Sequence, residues 1–230
     1  MKPIEAKSPT LWRRFLSYLE PQIIAIGHSA YSGYLELSIS RNRYMLASNN
    51  AVYSYEDLYH NFAQAFEIMQ MRQYNFDKIL VLGMGLGSVA QMLIQKHGQI
   101  KAQYTLVEID PIIIDWAKKY TLPKIKEGQI NIVESDAYTY IQTLIAEKFD
   151  LIIIDVFVDD IIPENLQTIA FMHQIKSLLN KKGILLFNCL YAQASDKVRT
   201  TQFYEKTFKQ VFQQHQVLDV KSNWILMAKV

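Results

Sequence analysis

The 230-residue sequence has one cysteine, Cys189. A disulfide framework within the chain and a zinc site built from cysteines are therefore excluded, and a reducing compartment fits. No apolar run approaches the roughly 20 residues of a membrane span; the strongest, such as Leu151–Ile154, are strand-sized and end in an acid. Lys2 is not followed by the apolar stretch of a signal peptide. Neither sign of charge is in excess: 24 Lys and Arg stand against 22 Asp and Glu, too even a balance for a nucleic-acid face. His60 alone is not a metal site, and no H-x-x-x-H or paired acid-and-histidine cluster has ligand spacing, so no metal site is expected. Internal repeats and low-complexity tracts are absent as well. The expectation is a cytoplasmic protein without nucleic-acid, membrane or metal partners.

Half the residues are hydrophobic, enough for one α/β domain with a small extra lobe. Leu11, Phe15, Tyr18 and Leu19 recur at helical spacing between Thr10 and Glu20, and Pro21 ends that pattern. Tyr34–Ile39 alternates at period two, Arg41-Asn42-Arg43 turns the chain, and Tyr44–Ala47 returns, which predicts a β-hairpin. Ser54-x-x-Asp57 has the form of a capping box ahead of a helix face made by Leu58, Phe62, Ala65, Phe66 and Met69. Residues 1–75 thus read as an N-terminal lobe with a bridging helix, and residues 76–230 as a second unit.

In that second unit short apolar runs alternate with amphipathic stretches. Strands are expected at Ile79–Leu82, Tyr104–Val107, Ile130–Val133, Leu151–Ile154 and Ile184–Phe187. Helices are expected over Ser88–Lys96, from Pro111, over Tyr138–Ala146, over Glu164–Leu179 with Gly183 as its stop, and from about Ser195 to Gln214. The alternation argues for a mostly parallel, doubly wound sheet. Val217–Lys221 and Trp224–Lys229 are separated only by Ser222-Asn223, too few residues for a crossover, so the last strand pairs antiparallel.

Gly83-Met84-Gly85-Leu86-Gly87-Ser88 joins the first of these strands to a helix. Glycines suit a tight turn and a close ligand, and Ser88 is placed to cap the helix; a plain strand-to-helix turn uses the same residues. The spacing is G-x-G-x-G, whereas the dinucleotide fingerprint is G-x-G-x-x-G. Glu108 closes the second strand, where an acid accepts from both hydroxyls of a ribose; a surface acid ending a strand is the plainer reading. Asp110-Pro111 reads as the cap of the next helix. Asp136 follows the third strand, either reaching an adenine amino group, with the Ala137 amide beside it, or capping the helix that follows. Tyr53, Tyr55, Tyr59 and His60 cluster in sequence, as lobe packing or as an aromatic wall for a cation.

Ile79–Gly87, then Val107-Glu108-Ile109-Asp110, then Phe149–Asp155 resemble spermidine synthase, and so do the hairpin and Tyr53–Asp57. The resemblance spans roughly residues 30–190. The run Asp155–Pro163, of the form D-x-F-x-x-D-x-I-P, is similar to the spermidine-synthase-like branch of that family. The resemblance implies a seven-stranded, Rossmann-like methyltransferase sheet with a terminal antiparallel hairpin and a small N-terminal helix and β-hairpin lobe. It implies a donor, S-adenosylmethionine or its decarboxylated form, at Gly83, Gly85, Gly87, Glu108, Asp136 and Ala137. It implies Asp155 as the base that takes the acceptor amine's proton, with Tyr55, Glu56 and Asp159 toward a small-molecule amine, and a homodimer through the N-terminal strands.

Three departures bear on the reaction. Leu86 stands where the family has an acid that pairs with the donor's amine and repels the carboxylate of intact S-adenosylmethionine. Val158 replaces the second acid of a D-S-S-D pattern, with Asp159 one residue late. Glu56 stands for a glutamine of the polyamine site. Aminopropyl transfer from the decarboxylated donor is the leading expectation, methyl transfer to a small amine-like acceptor the alternative, and a non-catalytic adenosyl-ligand-binding protein a third. A nicotinamide dehydrogenase is disfavoured by the glycine spacing and the terminal hairpin.

Overall fold

The computed structural model describes residues 4–5, 9–48, 51–125 and 128–230. Two sheets form. The first has the order β1-β2-β3-β4-β5, from β1 (Ile4–Glu5), β2 (Gln22–Ser29), β3 (Gly33–Ser40), β4 (Arg43–Ala47) and β5 (Val52–Ser54), all antiparallel. The hairpin expected from Tyr34 to Ala47 is β3–β4. Strand β2 was hidden because Ile23-Ile24-Ala25-Ile26 runs apolar instead of alternating; a register shift between Ile23 and Ala25 accounts for the break in period. Helix α1 is shorter than expected, Leu11–Leu16, and none of its residues is buried.

The second sheet has the order β11-β12-β10-β9-β6-β7-β8. Its strands are β6 (Lys78–Leu82), β7 (Gln103–Glu108), β8 (Gln129–Glu134), β9 (Phe149–Ile154), β10 (Leu179–Leu190), β11 (Gln214–Val220) and β12 (Asn223–Lys229). Strands β6 to β10 pair parallel, and β12 runs antiparallel to both β10 and β11. Leu151–Ile154 is fully buried without alternation because both faces of the sheet are covered. Ile79, Val81, Leu151 and Ile153 point into one core, shared with the first sheet and with α2 (His60–Ile68) and α3 (Ser88–Gln95). Leu80, Leu82, Ile152 and Ile154 point into the other, with α5 (Ala137–Thr143), α6 (Ile169–Leu178) and α7 (Ala194–Phe203). Helix α4 (Pro111–Trp116) lies on the first face through Ile113, Ile114 and Trp116.

Four local expectations are corrected. The Ser54–Asp57 capping box does not form: Ser54 Oγ meets Ser88 Oγ at 2.6 Å, Asp57 pairs with Arg43 and Lys96, and α2 starts at His60 without a side-chain cap. Ser88 therefore does not cap α3, whose N-cap is Gly87 at φ +85. The helix expected over Glu164–Leu179 is split, because the Thr168 hydroxyl accepts from Phe171 N and starts α6 there. Gly183 lies inside β10 and is no helix stop.

Candidate active site

Strands β6 and β9 are neighbours, yet the chain leaves β6 toward β7 and leaves β9 toward β10. Such a reversal opens a crevice at the carboxyl ends of the strands. Here the two walls of that crevice nearly touch. Asp155 N donates to Leu82 O at 2.8 Å, and a Cβ on Gly83 would lie 2.1 Å from Asp155 O. Only glycine, at φ +84, fits between the strand ends.

A cleft opens above this junction. It is lined by Gly83 and Gly85 of the loop, by Val107–Ile109 at the end of β7, by Ser135–Ala137 after β8 and by Asp155–Asp159 after β9. The N-terminal sheet closes it from above with Tyr31 and Ser32 of the β2–β3 turn and Ala51–Tyr53 around β5. That roof is stitched down: Ser54 Oγ accepts from Leu86 N, and Ser88 Oγ accepts from Tyr55 N, both at 3.2 Å. Ser32 Oγ donates to Asp110 Oδ2 at 2.8 Å, while Asp110 caps α4 through Ile112 N.

Glu108 is buried, and its carboxylate accepts from three backbone amides: Gly85 N at 3.0 Å, Ile109 N at 3.0 Å and Asp110 N at 3.2 Å. Burial outweighs these donors and pushes its pKa up to about 7. Asp136 caps α5, Oδ1 accepting from Thr139 N at 2.8 Å, and it also lines the cleft with Ala137. Asp155 is held by two donors on one oxygen. Tyr59 OH reaches Oδ1 at 3.2 Å, and Asn188 Nδ2 reaches it at 2.8 Å. Withdrawal from water raises its pKa to about 6, against those two hydrogen bonds. Burial and the neighbouring Asp155 charge push the Tyr59 phenol well above its usual value, so it stays a donor.

Not every residue singled out from the sequence reaches the cleft. Gly87 faces Leu122, whose Cδ2 a Cβ would meet at 2.9 Å. Tyr55 points away, its hydroxyl donating to Ser40 Oγ at 2.8 Å. Glu56 is corrected as well: it is 2% exposed and bonded to Lys124 Nζ at 2.6 Å, Tyr44 N at 2.7 Å and Gln91 Nε2 at 3.3 Å, a support under the lobe and not a wall of the cleft. Leu86 is buried in the core and does not line the cleft. Asp159 stands at the exposed tip of the turn closed by the Val158–Ile161 bridge, its amide donating to Tyr53 OH at 3.1 Å. Among the tyrosines and His60, Tyr53 and Tyr59 line the cleft and His60 does not. Asn61, Asn188 and Asn223 were missed; Asn188 lies within an apolar strand and Asn223 after a turn, and the β9–β10 pairing brings Asn188 to Asp155 while the β10–β12 pairing brings Asn223 to Asn188. No group of three metal-binding side chains and no helix long and apolar enough to cross a membrane occurs among the described residues.

Comparison with known proteins agrees with this geometry. The chain is 32% identical over 114 residues to a polyamine aminopropyltransferase of Vibrio vulnificus, covering 49% of this chain and 37% of that protein. It is 34% identical over 145 residues to a polyamine aminopropyltransferase of Sulfurisphaera tokodaii, covering 60% and 46%. The matched region is thus less than half the length of either relative. The crystal structure of spermidine synthase from Thermotoga maritima superimposes with a TM-score of 0.69 at 18% identity, over 90% of this chain and 72% of that one, a likeness of fold. The family model for the spermine/spermidine synthase domain matches residues 56–221, well over half of the sequence, and the chain belongs to that family.

Proposed function

We propose that this chain transfers an aminopropyl group from decarboxylated S-adenosylmethionine to a small amine. The observation that carries this reading is the charge of the cleft. Its lining includes Glu108, Asp136, Asp155 and Asp159, and no Lys, Arg or His among the described residues. A donor that is cationic at both sulfonium and amine, and an acceptor that arrives as an ammonium, both suit such walls; a ligand carboxylate meets no counter-ion there.

In this reading the backbone of Gly83 and Gly85 lets the donor approach closely, Glu108 accepts from its ribose, and Asp136 and Ala137 face its adenine. The donor supplies a carbon activated by the adjoining sulfonium. Asp155 Oδ2, which accepts from no donor among the described residues, takes a proton from the acceptor ammonium. The freed nitrogen lone pair forms the N–C bond as the C–S bond breaks, and the sulfonium leaves as a neutral thioether. Asp159 holds a distant charge of the acceptor.

Methyl transfer is the second reading. Its support is Leu86, which is buried, so this loop position brings no acid to the donor's tail. Calorimetric titration with intact and decarboxylated S-adenosylmethionine, together with an assay of released thioether, separates the readings. Tighter binding of the decarboxylated form and release of methylthioadenosine with diamines are expected. Equal or tighter binding of the intact form, with release of adenosylhomocysteine, moves the assignment to methyl transfer. Binding without turnover of either donor leaves an adenosyl-ligand-binding protein.

We further propose a homodimer through the N-terminal lobe. Leu11, Trp12, Phe15, Tyr18 and Leu19 are all exposed there, an apolar area of the kind that marks an interface. Sedimentation at the monomer mass across micromolar concentrations would remove this proposal.

A further inference from the structure

One hydrogen-bonded chain enters the cleft from the far end of the sequence. Ser222 Oγ lies 3.3 Å from Asn223 Oδ1. Asn223 Nδ2 donates to Asn188 Oδ1 at 2.9 Å, and Asn188 Nδ2 donates to Asp155 Oδ1 at 2.8 Å. Both amides are buried, Asn188 at 1% and Asn223 at 3% exposure. Ser222 sits in the tight turn between β11 and β12, and Asn223 opens β12 opposite Leu190, two residues beyond Asn188 on the same face of β10. The terminal hairpin, which served above only as a mark of the fold, therefore reaches the acid at the end of β9.

The chain has a direction. A primary amide accepts on oxygen and donates on nitrogen. Because Asn223 presents its nitrogen to Asn188, Asn188 must present its oxygen to Asn223 and its nitrogen to Asp155. If Asn188 were reversed, two NH2 groups would face each other at Asn223 and two oxygens at Asp155. The Ser222 hydroxyl, able to donate to Asn223 Oδ1, is compatible with the first amide in the same sense. Aligned dipoles of this kind strengthen one another in a dry site. With Tyr59 also on Oδ1, both donors gather on one carboxylate oxygen.

We propose that Asn223 and Asn188 are positioning residues that hold the Asp155 carboxylate in one orientation, with Oδ1 occupied and Oδ2 presented to the acceptor amine. The proposal deepens the transferase reading and rests on it for the identity of the amine; the relay itself is testable without turnover. The other titratable groups facing the same cleft are Tyr31, Tyr53, Tyr59, Glu108, Asp136 and Asp159. None of them differs between the variants below, and Asn223→Asp adds one further carboxylate to this set.

The test is a carboxyl ¹³C NMR titration of Asp155 in the full chain, assigned by its loss in Asp155→Asn, for the wild type, Asn223→Ala and Asn223→Asp. Asn223→Ala frees the Asn188 amide, whereas Asn223→Asp offers it an acceptor only. In the second case Asn188 turns to donate to residue 223 and sets its own oxygen against Asp155. The Asp155 midpoint should then rise by about one pH unit or more in Asn223→Asp, the loss of one charge-assisted hydrogen bond, and by clearly less in Asn223→Ala. A general loosening of the hairpin predicts no such order. The new carboxylate of Asn223→Asp would by its charge alone raise the midpoint, so Asn188→Leu, which adds no charge, is measured beside it and separates the relay from that field. Equal shifts in the two variants, or none in either, overturn the relay. Asn188→Leu, which leaves β12 untouched, supplies the same readout if Asn223→Asp does not fold: its midpoint must also rise, and an unmoved midpoint is equally fatal. Failure of the donor titrations alone would instead sink the transferase reading and leave these shifts in place.

Discussion

Glu108 Oε2 accepts the Gly85 amide at 3.0 Å, so the acid closing β7 holds the glycine loop that opens from β6. The remaining acceptor capacity of the carboxylate, which lines the cleft, is what a ribose would use. Its raised pKa, about 7 by burial, leaves it half protonated near neutrality in the free protein. Hydroxyl donors stabilise the charged form, so binding must expel that proton. Adenosyl-ligand affinity should therefore be constant above pH 8 and fall below pH 7, by up to tenfold per pH unit. Calorimetry in buffers of different ionisation enthalpy should register proton release at pH 6.5 and little at pH 8.5. Glu108→Ala should weaken binding by about 1.5–3 kcal/mol; unchanged affinity removes Glu108 from the site.

Asp155 should show the complementary behaviour in turnover. A base with its pKa near 6 works only when ionised, so kcat/KM should fall as pH drops below about 6 and lose this dependence above 7. Asp155→Asn should lower kcat by roughly 10²–10⁴-fold while donor affinity at pH 8 stays near the wild-type value. Wild-type turnover in that variant would defeat the role assigned to Asp155.

How far the sequence alone leads depends on which contacts are local. The glycine loop, Glu108 and Asp136 were legible because each closes a strand that its own apolar run announces, and strand ends gather at one edge of a parallel sheet. Glu56 and Tyr55 misled because one residue decides the direction of a side chain. Glu56 takes φ +42 and turns its carboxylate to Lys124, far along the chain. Tyr59, only four residues after Tyr55, reaches Asp155 instead. Asn188 and Asn223 carry no local signal at all. The pairing Cys189↔Trp224 and its neighbours sets their meeting, and pairing register is a tertiary fact.

The placement of Glu56 gives a prediction of a different kind. Its carboxylate satisfies Tyr44 N, Gln91 Nε2 and Lys124 Nζ, away from the cleft. Glu56→Ala leaves the buried Tyr44 amide without its acceptor and Gln91 with only Gln95 Oε1, which should cost about 1–3 kcal/mol of stability in urea denaturation. Donor affinity and KM for the acceptor should remain within twofold when measured well below the unfolding midpoint. A large rise in acceptor KM at unchanged stability would return Glu56 to the binding site.

Two glycines of similar backbone angle allow the crevice junction to be tested against itself. Gly33 sits at φ +64 with nothing within 4 Å of an added Cβ, while Gly83 sits at φ +84 with Asp155 O at 2.1 Å and Asp155 C at 2.7 Å. Gly33→Ala incurs only the left-handed backbone penalty, about 1–2 kcal/mol. Gly83→Ala adds an overlap with backbone that no rotamer relieves, a further ~1–3 kcal/mol, and forces the ends of β6 and β9 apart. At roughly 2–4 °C per kcal/mol for a chain of this size, its Tm should fall well below that of Gly33→Ala. The ligand readout should separate the two variants further. Widening the junction displaces Asp155 and the Gly85 amide together, so Gly83→Ala should lose adenosyl-ligand binding and Gly33→Ala should keep it. Equal Tm losses with binding retained in both would mean that the strand ends yield without disturbing the cleft, and the crevice would then lie elsewhere along this sheet edge.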